Sequence, residues 1–191
     1  MILSRPWRCA ALVAALLTLS AVHAAEVAGI KVDDKLRVGN SELLLNGAGL
    51  RSKLFIKVYV GALYAGQKVS SAAAIIDSPQ MRRMSLRLMR DIDSDSLYAA
   101  LDDGLKNNHT PTELAAMKAS TDKLGEIMKA IGKGREGDTI TLDFVADEVI
   151  VGVNGEARGK VVGAGFPKAL LKVWIGEQPV DASLKKALLG G

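Results

Sequence analysis

The chain has 191 residues, 25 Lys or Arg against 21 Asp or Glu, and only 4% aromatic residues. That length can bury a core without a covalent staple, so one domain is expected. Basic residues scattered among acids, with few aromatics to stack on bases, exclude a nucleic-acid role.

Arg5 and Arg8 open the chain, Ala10 to Ala21 is an apolar run, and Val22-His23-Ala24 offers small residues for cleavage. This pattern predicts a secretory signal over 1–24 and a mature domain over 25–191. The apolar run is about a dozen residues, short of the roughly 20 a spanning helix needs, so no membrane segment is expected after signal removal. Cys9, the single cysteine, would leave with the signal. A thiol-free mature chain suits an oxidising compartment such as the bacterial periplasm and excludes disulfides, thiolate metal sites and cysteine nucleophiles. Without Arg5 and Arg8 the balance is 23 basic to 21 acidic side chains, near neutral.

Val27 to Val32 and Leu36 to Leu45 read as strands separated by Asp33-Asp34, with Gly39-Asn40 as further turn residues. Asn46-Gly47-Ala48-Gly49 reads as a glycine-rich turn leading through Leu50-Arg51-Ser52 into one long strand, Lys53 to Tyr64. Ser70 to Ile76 offers a helical turn or two. Met81 to Met89 is a strand with Met84, Leu86 and Leu88 on one face and Arg83, Ser85 and Arg87 on the other.

Leu97, Leu101 and Leu105 then recur at helical spacing over Asp93 to Lys106. Thr110-Pro111-Thr112-Glu113 is a capping box with proline at the first helical position, predicting a helix from Pro111 to about Ile131, stopped by Gly132. Strands are expected over Ile140 to Val145, Val149 to Val153 and Glu156 to Val162, the last two joined by a type I′ turn at Asn154-Gly155. Helices close the chain at Phe166 to Trp174 and Ala182 to Leu189. Strands, central helices, a three-stranded meander and a final helix define an α+β fold with an antiparallel sheet and helices on one face.

Common catalytic kits are absent from the mature sequence. His109, its one histidine, reads as a solvated loop residue, and no metal or cofactor is expected. Asp91, Asp93 and Asp95 are followed by Leu97, Tyr98 and Ala99 where a calcium loop needs glycine and further ligands, and read as one helix cap with all three favouring the helix N-terminal dipole. Arg51 stands between glycines and an apolar strand. It is either a surface arginine, the simpler reading, or an anion clamp, since a guanidinium binds carboxylates through two charge-assisted hydrogen bonds. Tyr59 and Tyr64 follow it with hydroxyl groups on opposite strand faces, so at most one is expected to meet the same ligand.

The run from Asn46 to Arg51, followed by Lys53 to Tyr64, resembles the N-terminal signature of bacterial chalcone isomerase-like proteins. The stretch from Phe166 to Asp181 and then Leu184 to Leu189 is similar to that family's closing helix and tail. The resemblance implies an open-faced β-sandwich, a large antiparallel sheet covered by a layer of helices, with a ligand cleft between them. It also implies that Arg51 holds an oxyanion or carboxylate, as in plant enzymes that cyclise chalcones and in noncatalytic relatives that bind fatty acids. The plant enzymes' hydroxyl groups are not matched: Val58 stands for a threonine, Asp95 for a tyrosine with Tyr98 a turn later, and Gly163-Ala164-Gly165 for a small polar residue. The expectation is therefore a periplasmic binder of a small amphipathic acid, with Arg51 as clamp, Tyr59 or Tyr64 as second donor, and the Pro111 helix enclosing the tail. The alternative is an intramolecular lyase or isomerase acting on a flavonoid-like substrate. Oligomeric state is not legible.

Overall fold

A computed structural model describes residues 24–191; the predicted signal lies, but for Ala24, outside them. The described residues open with a hairpin, β1 (Ala24–Val27) and β2 (Ile30–Asp33). Ala28 and Gly29, at φ 52° and 86°, turn the chain inside what the sequence suggested was a single strand. β3 (Lys35–Val38) and β4 (Ser41–Lys53) follow, then β5 (Ile56–Ala65).

Two expectations about this region are corrected. The glycine-rich segment is not a turn, because Gly47 and Gly49 lie within the 13-residue β4. The run from Lys53 to Tyr64 is not one strand, because Leu54 and Phe55, at φ 49° and 68°, make a hairpin turn between β4 and β5. Neither residue advertises such a turn, for which Asn-Gly is the usual signal.

Short helix α1 (Ala72–Asp77) is capped by Ser71 and precedes β6 (Arg82–Leu88). Arg82, buried on the helix side, donates to the carbonyls of Ile75, Ile76 and Ser78 and so satisfies the C-terminal end of α1. After β7 (Ile92–Asp93), helix α2 (Ser94–Asn108) starts at Asp93, whose carboxylate accepts from the Ser96 amide at 2.7 Å. The capping box at Thr110 is present, but the expected long helix is two: α3 (Pro111–Ala116) and α4 (Lys118–Ile131). No residue of α3 is buried, whereas α4 buries Leu124, Ile127 and Met128, so the core aligns only the second piece.

Strand β8 (Lys133–Gly134) pairs with β7, and the meander β9 (Thr139–Val145), β10 (Glu148–Val153) and β11 (Glu156–Val162) follows. Asn154 and Gly155, at φ 52° and 85°, form the expected tight turn. Helices α5 (Phe166–Ile175) and α6 (Ala182–Leu188) end the chain.

Seven strands form one antiparallel sheet in the order β11-β10-β9-β6-β5-β4-β3. Its helix-covered face supplies Tyr59, Leu63, Met84, Leu86, Leu142 and Phe144 to a core shared with α1, α2, α4, α5 and α6. Trp174, Leu170 and Phe166 of α5 fill the centre, each at most 1% exposed. Full burial of side chains of this size contributes roughly 1.5–3 kcal/mol each. On the opposite face the β1/β2 hairpin covers a smaller cluster of Leu43, Leu45, Val60, Ala62 and Tyr64. The architecture is α+β, with helices layered on one face of a large antiparallel sheet.

Candidate functional site

Alternation along β4 aims Leu50 at the β1/β2 side and Arg51 at the helical side, opposite Tyr59 on β5. The register shifts immediately afterwards, since Arg51 pairs with Tyr59 and Ser52 with Lys57. Val58 is the extra residue of this bulge. It therefore packs with the helix-side core, beside Tyr59, and not with Val60 and Tyr64 as simple alternation predicted.

The Arg51 guanidinium lies over the Tyr59 ring, 5.4 Å from its centroid. Beneath, the Tyr59 hydroxyl accepts a 2.9 Å hydrogen bond from the Trp174 indole N–H. Burial pushes the Tyr59 phenol above its ordinary pKa, and the adjacent Arg51 charge opposes that rise. Arg51, half-buried, forms no ion pair with a carboxylate among the described residues. The ring presents a negative face to the cation, an attraction worth about 0.5–1 kcal/mol at an accessible site.

Two adjoining clefts meet at Arg51. One, of about 320 Å³, is walled by Leu54, Ile56, Val58, Ile92 and Leu97, with Lys53 and Arg90 also in its lining. The other, of about 360 Å³, continues along α2 past Ala100, Asp103 and Asn107 to Val180. Either falls in the size range of small-molecule sites, and the first adds the carboxylates of Asp91 and Asp93 to its three cations and apolar walls. Ser96 and Ala100 of α2 line both clefts, so α2 is the facing wall. The Pro111 helix, expected to enclose the ligand, contributes no lining residue to either cleft; α4 packs against α2 and β11 instead.

Of the two tyrosines singled out by sequence, only Tyr59 lies beside Arg51. Tyr64 points to the other face, where its hydroxyl donates to the Asp33 carbonyl at 3.0 Å. Burial and the Asp33 carboxylate push its pKa up to about 12. Tyr98 is also turned away, donating to the Thr121 carbonyl at 3.2 Å. His109 is not solvated: its side chain is 4% exposed, with Nε2 3.3 Å from the Ala169 carbonyl.

The three aspartates after β6 have structural employment. Asp93 caps α2, Asp95 lies in the first turn of that helix, and Asp91 pairs with Lys133 at 2.7 Å and accepts from the Glu136 amide. Such contacts hold two of the carboxyls below the ordinary range, through Lys133 for Asp91 and the Ser96 amide for Asp93. Among the described residues no group of three His, Cys, Asp or Glu side chains could hold a metal ion. Sequence reading missed Lys53 and Arg90. Lys53 shares a face with Arg51 two residues earlier, a signal hidden by treating it as the start of the next strand.

A helix-covered antiparallel sheet with a cleft of mixed apolar and charged lining at the end of its longest hairpin defines the class of fold. A family model described as chalcone isomerase-like matches residues 24–190, and the chain belongs to that family. Among solved structures, a fatty-acid binding protein of Arabidopsis thaliana shares the fold with a TM-score of 0.69. The two are 18% identical, over 84% of this chain and 92% of that one. No curated protein matches the sequence. No helix among the described residues is long and apolar enough to cross a membrane.

Proposed function

We propose that this protein is exported to a bacterial periplasm and binds a fatty acid or similar small amphipathic acid in the cleft at Arg51. The observation that carries the reading is a half-buried guanidinium with no carboxylate partner among the described residues, seated on an aromatic ring where a cleft with apolar walls meets a more polar one. A ligand carboxylate would supply the missing anion through paired charge-assisted hydrogen bonds, and its hydrocarbon would lie against Leu54, Ile56, Val58 and Leu97. Tyr59 acts here as the platform that positions Arg51, its hydroxyl being engaged with Trp174. The ligand class is supported by the Arabidopsis thaliana protein of the same fold, which is a fatty-acid binding protein.

The test is native mass spectrometry of the purified protein with denaturing extraction of any bound molecule, followed by titration of the stripped protein with a long-chain fatty acid. Losing a charge-assisted bidentate contact of roughly 1.5–3 kcal/mol lowers affinity about 10- to 150-fold in Arg51→Ala, with the fold intact. Equal affinity in the variant refutes the clamp. Turnover of a flavonoid-like substrate, abolished by the same substitution, would replace the binding reading with the isomerase one.

A further inference from the structure

The β4/β5 hairpin ends in an apolar point. Leu54 is 83% exposed, Phe55 103% and Ile56 50%. These side chains cover nothing in the core, and Leu54 and Phe55 hold left-handed backbone that asparagine and glycine adopt more easily. Folding thus gains neither burial nor a favourable turn from the two bulkiest residues at the tip.

The tip also stands clear of the sheet. Pairing between β5 and β6 stops at Tyr59 and Leu88, and that between β3 and β4 involves only residues up to Leu44. From Ser52 to Lys57 the two strands therefore pair only with each other.

Cations ring this point. Lys53 and Lys57 flank it directly, and Arg90 lines the same cleft as Leu54 and Ile56, together with Asp91 and Asp93. None of the three forms an ion pair among the described residues, whereas the nearby Asp91 is held by Lys133. An apolar wedge flanked by cations that are not ion-paired matches an anionic bilayer: hydrocarbon enters the acyl boundary while ammonium and guanidinium groups meet lipid phosphates. The same ring of positive charge opposes tip-to-tip association of two copies.

We propose that the β4/β5 hairpin tip docks the protein on an anionic phospholipid surface, inserting Leu54, Phe55 and Ile56 between headgroups held by Lys53, Lys57 and Arg90. Leu54 and Ile56 also wall the cleft at Arg51, so docking would place the cleft mouth at the bilayer. That consequence rests on the proposed acid-binding function; the docking itself does not.

The experiment is flotation of the purified protein with vesicles of pure phosphatidylcholine and with vesicles containing about one-third phosphatidylglycerol, at low and high salt. The wild-type protein is expected to float with the anionic vesicles and to be released by salt. The double variant Leu54→Asn/Phe55→Gly, whose turn suits the observed backbone, is expected to unfold at an equal or higher temperature while its vesicle binding falls about tenfold or more. Lys53→Gln/Lys57→Gln is expected to weaken binding to anionic vesicles only. In Phe55→Trp, indole emission should shift to the blue on adding anionic vesicles.

Equal flotation of the wild type and Leu54→Asn/Phe55→Gly overturns the proposal, as does failure of the wild type to float. A concentration-dependent dimer, lost in the double variant and formed without any vesicle binding, overturns it in favour of a second copy. Fatty-acid affinity in vesicle-free solution separates this inference from the function it extends. A wild type that binds the acid in vesicle-free solution but does not float with anionic vesicles sinks the docking alone, and a wild type that floats without any acid affinity sinks the cleft reading alone.

Discussion

Gly47→Ala should destabilise the protein strongly, although replacing glycine in a strand usually helps. Gly47 does not occupy left-handed backbone, and an alanine there would restrict the unfolded chain, a gain of about 0.4–1 kcal/mol when nothing obstructs it. Here a Cβ would overlap the Ala187 carbonyl oxygen and come within 2.8 Å of the Leu188 carbonyl, all backbone of the α6 end. The helix end must move away, and with it goes the buried 2.7 Å bond from the Asn46 side-chain amide to the Leu188 carbonyl. Overpacking of this kind costs about 1–3 kcal/mol and an orphaned buried polar group about as much, so a net loss near 3 kcal/mol is expected. In a chain of this size that lowers the melting temperature by about 6–12 °C. Urea unfolding followed by circular dichroism should show a lower midpoint at unchanged slope.

Gly49→Ala provides an internal control, because its Cβ would meet the Ala187 side chain at 2.7 Å. Ala187→Gly should therefore partly rescue Gly49→Ala, with a coupling of about 1 kcal/mol, and leave the Gly47→Ala defect untouched. A neutral or stabilising Gly47→Ala, or equal rescue of both variants, would refute the close approach of α6 to β4. That contact matters to the site, since β4 carries Arg51 four residues beyond Gly47.

Tyr59→Phe keeps the ring under Arg51 but leaves the Trp174 N–H without its acceptor, so thermal unfolding should show a loss of about 1–3 kcal/mol. Isothermal titration should find its fatty-acid affinity near wild type, and a loss as large as that of Arg51→Ala would make the hydroxyl a direct ligand. Asp143→Ala strands Arg83, whose guanidinium is held by two bonds of 2.5 and 2.7 Å, and chemical denaturation should report about 2 kcal/mol lost. For Tyr64, the folded state favours the protonated phenol: its pKa is raised from 10.0 to about 12. The stability it contributes is full below pH 10 and is lost as pH rises toward 12, because the unfolded chain gives up that proton first. Melting curves across that window should fall less steeply for Tyr64→Phe than for wild type, whereas parallel curves would show that Tyr64 is not responsible.

The sequence by itself determined the elements whose signals are local. The capping box at Thr110 needs only four neighbouring residues, the Asn154-Gly155 turn two, and the alternation of Met84, Leu86 and Leu88 one strand. Their order was enough for an antiparallel sheet with helices on one side, and the residues from Asn46 to Tyr64 were enough to single out Arg51. What tertiary structure decided depended on contacts between distant segments. Gly47 and Gly49 read as a turn because glycine is commonest there, and only the arrival of α6, some 140 residues later, shows them to be clearance for a helix. The Leu54-Phe55 turn was hidden because Phe55 favours strands and neither residue is a usual turn former, and its reversal is imposed by pairing of Arg51 with Tyr59 and Lys53 with Ile56. The register shift there brings Val58 and Tyr59 to the same face and seats Arg51 on the ring, a juxtaposition that alternation along a lone strand cannot express.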